Sequence, residues 1–297
     1  MAFVRRKIDL TFRLGQDSSG VQYTFTEGDF DTVKVSGLRV QATIANAGTP
    51  SMGQASVIVH GLTPSLLNQL STVSRTSNGR VTTRYYEMVI EAGDDVSGMS
   101  IIFAGQVSLA IQDMNGAPDS ALHITAHAGL FEAVKIASPT TFTGSADAAV
   151  IMQNLATQNN YAFENNGVSV VLATPYLSGS PRQQMETCAN AANINWTLEN
   201  NTLAIWPKGG TRGGAVPSIS PDAGSIGYPT NSGIGGSIAV RTLFNPQLRY
   251  GASVQVTSSL RFATGTFVLF DLAHDLESET PNGRWESSFT GSPFNVQ

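Results

Sequence analysis

The sequence predicts a mainly β protein with an inserted α/β module. Strand-like segments with alternating apolar residues fill both ends of the chain, two helix-like segments fall between them, and a Gly- and Pro-rich stretch follows the helices. The chain has 297 residues, 41% of them hydrophobic, which is enough for about two domains with sizeable cores. The predicted boundaries are 1–137 for a first β-rich domain, 138–208 for the α/β module, 209–224 for a linker and 225–297 for a second β-rich domain.

The first domain is predicted from six segments in which β-branched and apolar residues alternate with polar ones. They read FVRRKIDLTFRL, LRVQATIAN, QASVIVHGL, TTRYYEMVIEAG, MSIIFAGQVSLAIQDM and ALHITAHAGL. One helix interrupts them: Thr63 is its expected cap, Pro64 takes the first helical position, and Leu66, Leu67 and Leu70 share a face.

The α/β module is predicted as helix, strand, helix and hairpin. SADAAVIMQNLATQ forms the first helix, VSVVLA the strand, and INWTLE with TLAIWP a hairpin that turns on Asn200 and Asn201. The second helix starts at Ser180, where S-P-R-Q matches a capping box with Pro at the first helical position. Met185, Cys188, Ala189 and Ala192 then fall on one face, which makes Cys188 a small core residue.

The linker and the last domain complete the pattern. The stretch PKGGTRGGAVPSISPDAGSIGYPT has too much Gly, Pro and Ser for regular structure over most of its length. Beyond it we predict strands in GGSIAVRTLF, ASVQVTSSL, TGTFVLFDLAHDLES and GRWESSFTG. Pro246 and Gly251 mark a corner after the first of these strands, and Pro281, Asn282 and Gly283 turn the last hairpin.

Composition argues against several classes of function. The net charge is −5 and no segment is strongly basic, so a nucleic-acid-binding footprint is not expected. The cluster at 5–7 (Arg-Arg-Lys) directly precedes an alternating strand and is interpreted as an exposed edge. A single cysteine excludes a disulfide framework and fits synthesis in a reducing cytoplasm. No apolar run approaches the length of a signal peptide core or a membrane span, so we expect a soluble protein.

No catalytic, metal or cofactor site is predicted. His123 and His127 share a strand face but stand roughly 13 Å apart, too far for one metal. His274 and Asp275 are adjacent in a strand and point to opposite faces, and no nucleophile motif accompanies them. Asp94 and its neighbour Asp95 lack the spacing of an EF-hand and are expected in a solvated turn.

Two alternative functions stay open at this point. A β-rich carbohydrate- or receptor-binding protein would use exposed aromatic rings, but the candidates are dispersed and are more often core or subunit-contact residues. These candidates are Tyr85, Tyr86, Trp196, Trp206 and Trp285. A hydrolase would need paired carboxylates in a cleft. Glu277 and Glu279 share a predicted strand face but stand in a polar stretch near a turn.

Two stretches near the C-terminus carry a recognisable pattern. The first is GIGGSIAVRTLFNPQLRYGASVQVTS, in which an LFNP turn leads to a Gly and a strand. The second is a hairpin with a spaced pattern of Gly265, Phe267, His274, Leu276, Gly283 and Trp285. Both stretches resemble central baseplate hub proteins of contractile-tailed bacteriophages, and also the hub part of type VI secretion spikes. The α/β module with its IWP hairpin is similar as well. Relatives often have Pro before the Gly of the turn, where this chain has Tyr250.

The resemblance implies a homotrimeric ring in which each subunit contributes two tube-like β-barrel or sandwich domains, joining a sixfold tail tube to a threefold spike. The implied partners are further copies of the chain, a tail spike protein, a tail tube protein or tube-initiator ring, and other baseplate proteins. DNA would pass through the ring without specific binding, and the protein would be a virion component with no enzymatic activity or cofactor. Expected subunit-contact residues are Phe244, Asn245, Pro246, Tyr250, Trp285 and Phe289.

Overall fold

The computed structural model describes residues 4–15, 23–26, 30–75, 81–83, 86–116, 118–233 and 235–294. The chain is mainly β, as the sequence predicts. It divides into two compact units. The first comprises Met1–Ile44, Gln54–Ala128 and His274–Trp285, and the second comprises Ala45–Gly53, Gly129–Ala273 and Glu286–Gln297.

The first unit is built on long antiparallel strands and one short helix. Its elements are β1 (Arg6–Leu14), β2 (Thr32–Val35), β3 (Val40–Asn46), β4 (Gln54–His60), α1 (Pro64–Leu70), β5 (Val73–Arg75), β6 (Val81–Thr83), β7 (Tyr86–Asp94), β8 (Gly98–Asp113) and β9 (Ala121–His127). Strands neighbour one another in the order β3-β4-β9-β8-β7-β1-β2, and β5 pairs with β6 separately.

Register places the apolar residues of neighbouring strands opposite one another. Leu10 of β1 faces Ile90 of β7, and Phe12 faces Met88. All four side chains are buried, because alternation puts every second residue on the core face. Helix α1 begins as predicted, with the Thr63 side chain accepting a hydrogen bond from the Leu66 amide.

The second unit combines a small α/β part with further strands. Its elements are α2 (Leu130–Val134), β10 (Thr140–Thr141), β11 (Ser145–Asp147), α3 (Ala148–Gln158), β12 (Ala162–Asn165), β13 (Val171–Ala173), β14 (Tyr176–Leu177), α4 (Pro181–Ala192), β15 (Ile194–Glu199), β16 (Thr202–Pro207), β17 (Ser218–Ile219), β18 (Thr230–Asn231), β19 (Ile238–Leu243), β20 (Ser253–Val256), a 3-10 turn (Arg261–Ala263), β21 (Gly265–Ser278) and β22 (Trp285–Pro293). The last residues of β21 and the first residue of β22 belong to the first unit, and the last two residues of β3, Ala45 and Asn46, belong to the second.

The α/β part contains the two predicted helices and the predicted hairpin, but α3 begins at Ala148 because Ser145–Asp147 form β11. The α4 capping box is complete, since Ser180 accepts from the Gln183 amide while the Gln183 side chain accepts from the Ser180 amide. The β15–β16 hairpin turns on Asn200 and Asn201, both with positive φ. The sequence does not predict the short strands β10, β11, β12 and β14. Of these, β12 pairs in parallel with β16 and makes a three-stranded sheet.

Two apolar cores stabilise the second unit. One lies between α3, α4 and the three-stranded sheet and contains Cys188, Met185 and Trp196. Burial raises the pKa of the Cys188 thiol to about 12, as expected for a side chain packed in an apolar core. The other core contains Val240, Leu248, Phe267 and similar residues of the C-terminal strands.

Candidate functional site

The corner between β19 and β20 is a closed turn. The Leu248 amide donates to the Asn245 carbonyl at 3.3 Å, and the Asn245 side chain accepts from the Gln247 amide at 2.9 Å. Pro246 occupies the second position of this four-residue turn, where its fixed φ is favourable. Leu248, only 3% exposed, anchors the turn in the core. The predicted corner is therefore held by its own hydrogen bonds and by one buried leucine.

The end of the corner packs tightly against β16. The ring of Tyr250 contacts that of Trp206 edge to face, with centroids 6.0 Å apart. Gly251 has φ +78°, and a Cβ there would lie 2.4 Å from the indole of Trp206. The Gly251 amide donates to the Leu269 carbonyl, and its carbonyl accepts from the Arg212 amide. Only glycine satisfies both the backbone conformation and the approach of the indole.

A buried cluster of charges joins the same corner to the α/β part. Arg212, whose side chain is 2% exposed, donates from Nε and Nη2 to the two carboxylate oxygens of Glu164, at 3.0 and 3.1 Å. Its Nη1 donates to Glu199, and Arg249 donates to Glu164. Two guanidinium groups thus face two carboxylates, and the fork geometry of Arg212 suits bidentate pairing.

Neighbouring groups complete the cluster. Asn166 donates from its side chain to Glu164 at 3.0 Å and accepts from the Gly213 amide at 2.7 Å. Asn46 donates to Glu199 at 3.2 Å. Burial by itself raises the pKa of Glu164, but the hydrogen bonds and charge of Arg212, with those from Arg249 and Asn166, outweigh it and lower the pKa to about 2. The carboxylate therefore stays ionised.

The predicted contact residues lie in different places. Phe244 and Asn245 are half-buried and Pro246 is exposed, all at the corner, while Tyr250 is half-buried against Trp206. Phe289 is 3% exposed and belongs to the C-terminal core. Trp285 belongs to the first unit, where the guanidinium of Arg6 lies 5.7 Å from its ring centroid.

Exposed apolar residues provide contact candidates that sequence reasoning did not single out. In the first unit Ile101, Leu109 and Ile111 of β8 are about half exposed, as is Met114 just beyond the strand. The signal in the sequence is MSIIFAGQVSLAIQDM, in which apolar residues fall on both faces of one strand. Such a pattern is typical of a strand covered on both sides. Isolated exposed apolar residues are common on monomers, whereas several along one strand form an apolar surface of the kind found at interfaces.

The side chains considered as catalytic or metal-binding candidates do not come together in one site. His123 and His127 lie on one face of β9, and no set of three or more metal-ligating side chains is found among the described residues. Asp94 closes a turn by accepting from the Val96 and Ser97 amides, as predicted. His274 is 5% exposed, and desolvation lowers its pKa to about 4, so it is neutral at physiological pH.

Two other predictions about possible sites are decided by burial and backbone conformation. Tyr86, Trp196 and Trp206 are buried, so they cannot stack on a sugar, and Tyr85 lies outside the described residues. The expectation that Glu277 and Glu279 share a strand face is wrong. Strand β21 ends at Ser278, and Glu279 adopts a left-handed conformation with φ +52° as the chain turns. Among the described helices, none is long and apolar enough to cross a bilayer.

The fold is shared with known tail proteins. The tail protein from Neisseria meningitidis MC58 superposes with a TM-score of 0.61 and 10% identity, over 96% of this chain and 96% of that chain. The 43 kDa tail protein of prophage MuSo2 from Shewanella oneidensis gives 0.54 and 10%, over 96% and 98%. The E. coli c3393 protein, a type VI secretion component with structural similarity to T4 tail proteins gp27 and gp5, gives 0.57 and 7%, over 87% and 74%.

The sequence itself matches one family. No curated protein sequence is recognisably similar to the chain. The model of the family described as baseplate hub gp41 matches residues 20–285, which include both the corner and the charged cluster. Because this match spans most of the sequence, the chain belongs to the baseplate hub gp41 family, a family of structural proteins of phage tails.

Proposed function

We propose that the chain is the structural hub subunit of a contractile phage baseplate or a related injection device, and that three copies form a ring. The ring joins a sixfold tail tube to a threefold spike and surrounds the channel through which DNA leaves the virion. The observation that carries the proposal is the family match over residues 20–285. The likeness to tail proteins over nearly the whole chain supports it.

Physical features of the chain support an assembly role. Only 13% of residues are charged, against roughly 25% in typical soluble domains, and large permanent interfaces are poor in charge. The half-exposed apolar residues of β8 provide surface for such an interface. The hydrogen-bonded corner fixes the angle between β19 and β20, and a closed ring requires such a fixed angle in each subunit.

The proposed partners follow from this role. They are two further copies of the chain, a spike protein, a tube protein or tube-initiator ring, and other baseplate proteins, assembled in the bacterial host cytoplasm into the virion tail. We assign the chain no catalytic step. With a net charge of −5, the channel wall would repel phosphates and let DNA pass without holding it.

Native mass spectrometry of the purified chain, alone and with spike and tube proteins encoded beside it, tests the proposal. A species of about 94 kDa, three copies of the 31.4 kDa chain, is expected because cyclic closure fixes the copy number. A chain that stays monomeric even with a spike protein present would count against the ring. Strong, selective binding in a glycan screen would instead favour a carbohydrate- or receptor-binding tail protein.

A further inference from the structure

The second unit contains a cavity of about 270 Å³ beside the two helices of its α/β part. It lies where the C-terminal end of α3, the first turn of α4 and the segment that follows α2 meet. The lining residues are Lys135, Ile136, Ala137, Ser138, Leu155, Gln158, Asn159, Pro181 and Gln184. Lys135 is the single charged side chain among them, and it forms no ion pair within the part of the chain that the structure describes.

The segment 135–138 leaves main-chain groups unpaired at the rim of this cavity. It has no regular secondary structure, and the amides and carbonyls of Ile136 and Ala137 make no hydrogen bond to any described residue. Ile136 is 96% exposed, and Val134, just before it, is 71% exposed. Unpaired backbone groups next to exposed apolar side chains resemble the edge of a sheet, which a second chain can pair with.

Gln184 in the cavity wall carries a buried acceptor without a donor. Gln184 is 1% exposed, and its Nε2 donates to the carbonyls of Ser138 and Gly179 at 3.0 and 3.1 Å. Its Oε1 has no partner among the described residues. Exchanging oxygen and nitrogen would set Oε1 against two carbonyls, so the orientation is fixed. A buried acceptor left unpaired is unfavourable, so this wall of the cavity is short of one hydrogen-bond donor.

We propose that this cavity binds an extended, acidic polypeptide segment of another protein. A main chain supplies both donors and acceptors for Ile136 and Ala137, and its amides are the kind of donor that Oε1 of Gln184 lacks. An apolar side chain of the segment covers Ile136, and a carboxylate faces Lys135. A single cation suits one carboxylate rather than a nucleic acid, which needs several. The inference does not depend on the ring or on the hub function.

Selection of random heptapeptides on the immobilised full-length chain tests the proposal. Enriched peptides are expected to combine an apolar with an acidic residue. Their dissociation constants, measured by fluorescence anisotropy with synthetic peptides, should rise at least tenfold in Lys135→Glu and in Ile136→Ser. Both positions are exposed, so the fold should be unaffected, and unchanged melting temperatures verify this.

Matched variants elsewhere in the same unit serve as controls. Lys208→Glu and Val216→Ser make the same kinds of change at exposed positions outside the cavity and should leave peptide affinity unchanged. The proposal is overturned if no peptide is enriched over the bare support, or if all four variants bind equally. It is equally overturned if Lys135→Glu alters only self-association of the chain, because the site is then a contact between copies.

Discussion

The two units are stabilised by different means. In the first, buried pairs such as Leu10 with Ile90 face each other across long antiparallel strands, and the charged pairs, such as Lys34 with Asp9, lie outside. In the second, charge is buried. Among the described residues, every buried arginine or glutamate belongs to the second unit, namely Glu132, Arg182 and Arg212. Register therefore fixes the geometry of the first unit, while charge pairing and close contacts fix the corner of the second.

The largest effect is expected where buried charge would be left unpaired. Arg212→Ala removes the bidentate partner of Glu164 and one donor of Glu199, leaving Arg249 and Asn166 on the first and Asn46 on the second. It should lower the free energy of unfolding by about 3–5 kcal/mol, as expected when one partner of a buried ion pair is removed. Urea titration followed by circular dichroism measures it. Arg241→Ala is the control, because its pair with Glu286 is exposed and should be worth under about 1 kcal/mol. If both variants lose the same free energy of unfolding, the charged cluster does not stabilise the corner.

A second test concerns the approach of Gly251 to Trp206. Gly251→Ala combines an unfavourable positive φ with a Cβ at 2.4 Å from the indole, and we expect a loss of about 2–4 kcal/mol. Gly227 has φ +73° with nothing within 4 Å, so Gly227→Ala should cost only the backbone term of about 1–2 kcal/mol. Urea titration of both variants measures the difference between their free energies of unfolding. If both variants lose the same amount, the indole contact contributes nothing.

The buried histidine His274 allows the pH dependence of stability to be tested in the first unit. Its folded pKa of about 4 lies below the usual 6.5, so the unfolded state binds the proton first. The contribution of His274 to the free energy of unfolding is therefore fully present above about pH 6.5. It is lost progressively, by up to about 3 kcal/mol, as the pH drops toward 4. His274→Gln should flatten this part of the pH profile of unfolding. His123→Gln, at a side chain 47% exposed, should leave it in place. A profile unchanged by His274→Gln would assign the acid sensitivity to other groups.

The last test substitutes no residue and therefore leaves the stability of the chain unchanged; it follows a reaction rate at Cys188 in the second unit. With its pKa raised to about 12, the thiol should react with a disulfide reagent at pH 8 about a thousandfold more slowly than in the unfolded chain. The reaction then reports opening of the α/β part without any substitution. Reaction at the unfolded rate under native conditions would mean that this core opens readily.

Local patterns predicted α1, α3, α4 and the longer strands of both units, but not short elements such as β2, α2 and β17. Pairing between distant segments decided the rest. Ser180 and Asn200 marked the α4 start and the hairpin because caps and tight turns depend on a few adjacent residues. Strand β12 was missed because its four residues pair in parallel with β16, about 40 positions later. The cluster at Arg212 was missed for the same reason: Glu164, Glu199 and Arg249 are distant in sequence, and Arg212 itself sits in a stretch that reads as a linker.

The predicted contact residues show the limit of local reasoning about surfaces. Pro246 is exposed as a contact residue must be, whereas Phe289 packs in a core and Tyr250 packs on Trp206. An apolar residue in a strand has the same sequence pattern whether a core or a neighbouring subunit covers it. Burial within the chain separates the two cases, and it directs attention to the exposed residues of β8.

The central claim is the ring, and electron microscopy of the purified assembly tests it most directly. End-on class averages should show a closed particle with threefold symmetry, six peripheral densities and an open channel, because each of three subunits contributes two β-rich parts. Averages of single-chain particles, or of twofold dimers without a channel, would contradict the account.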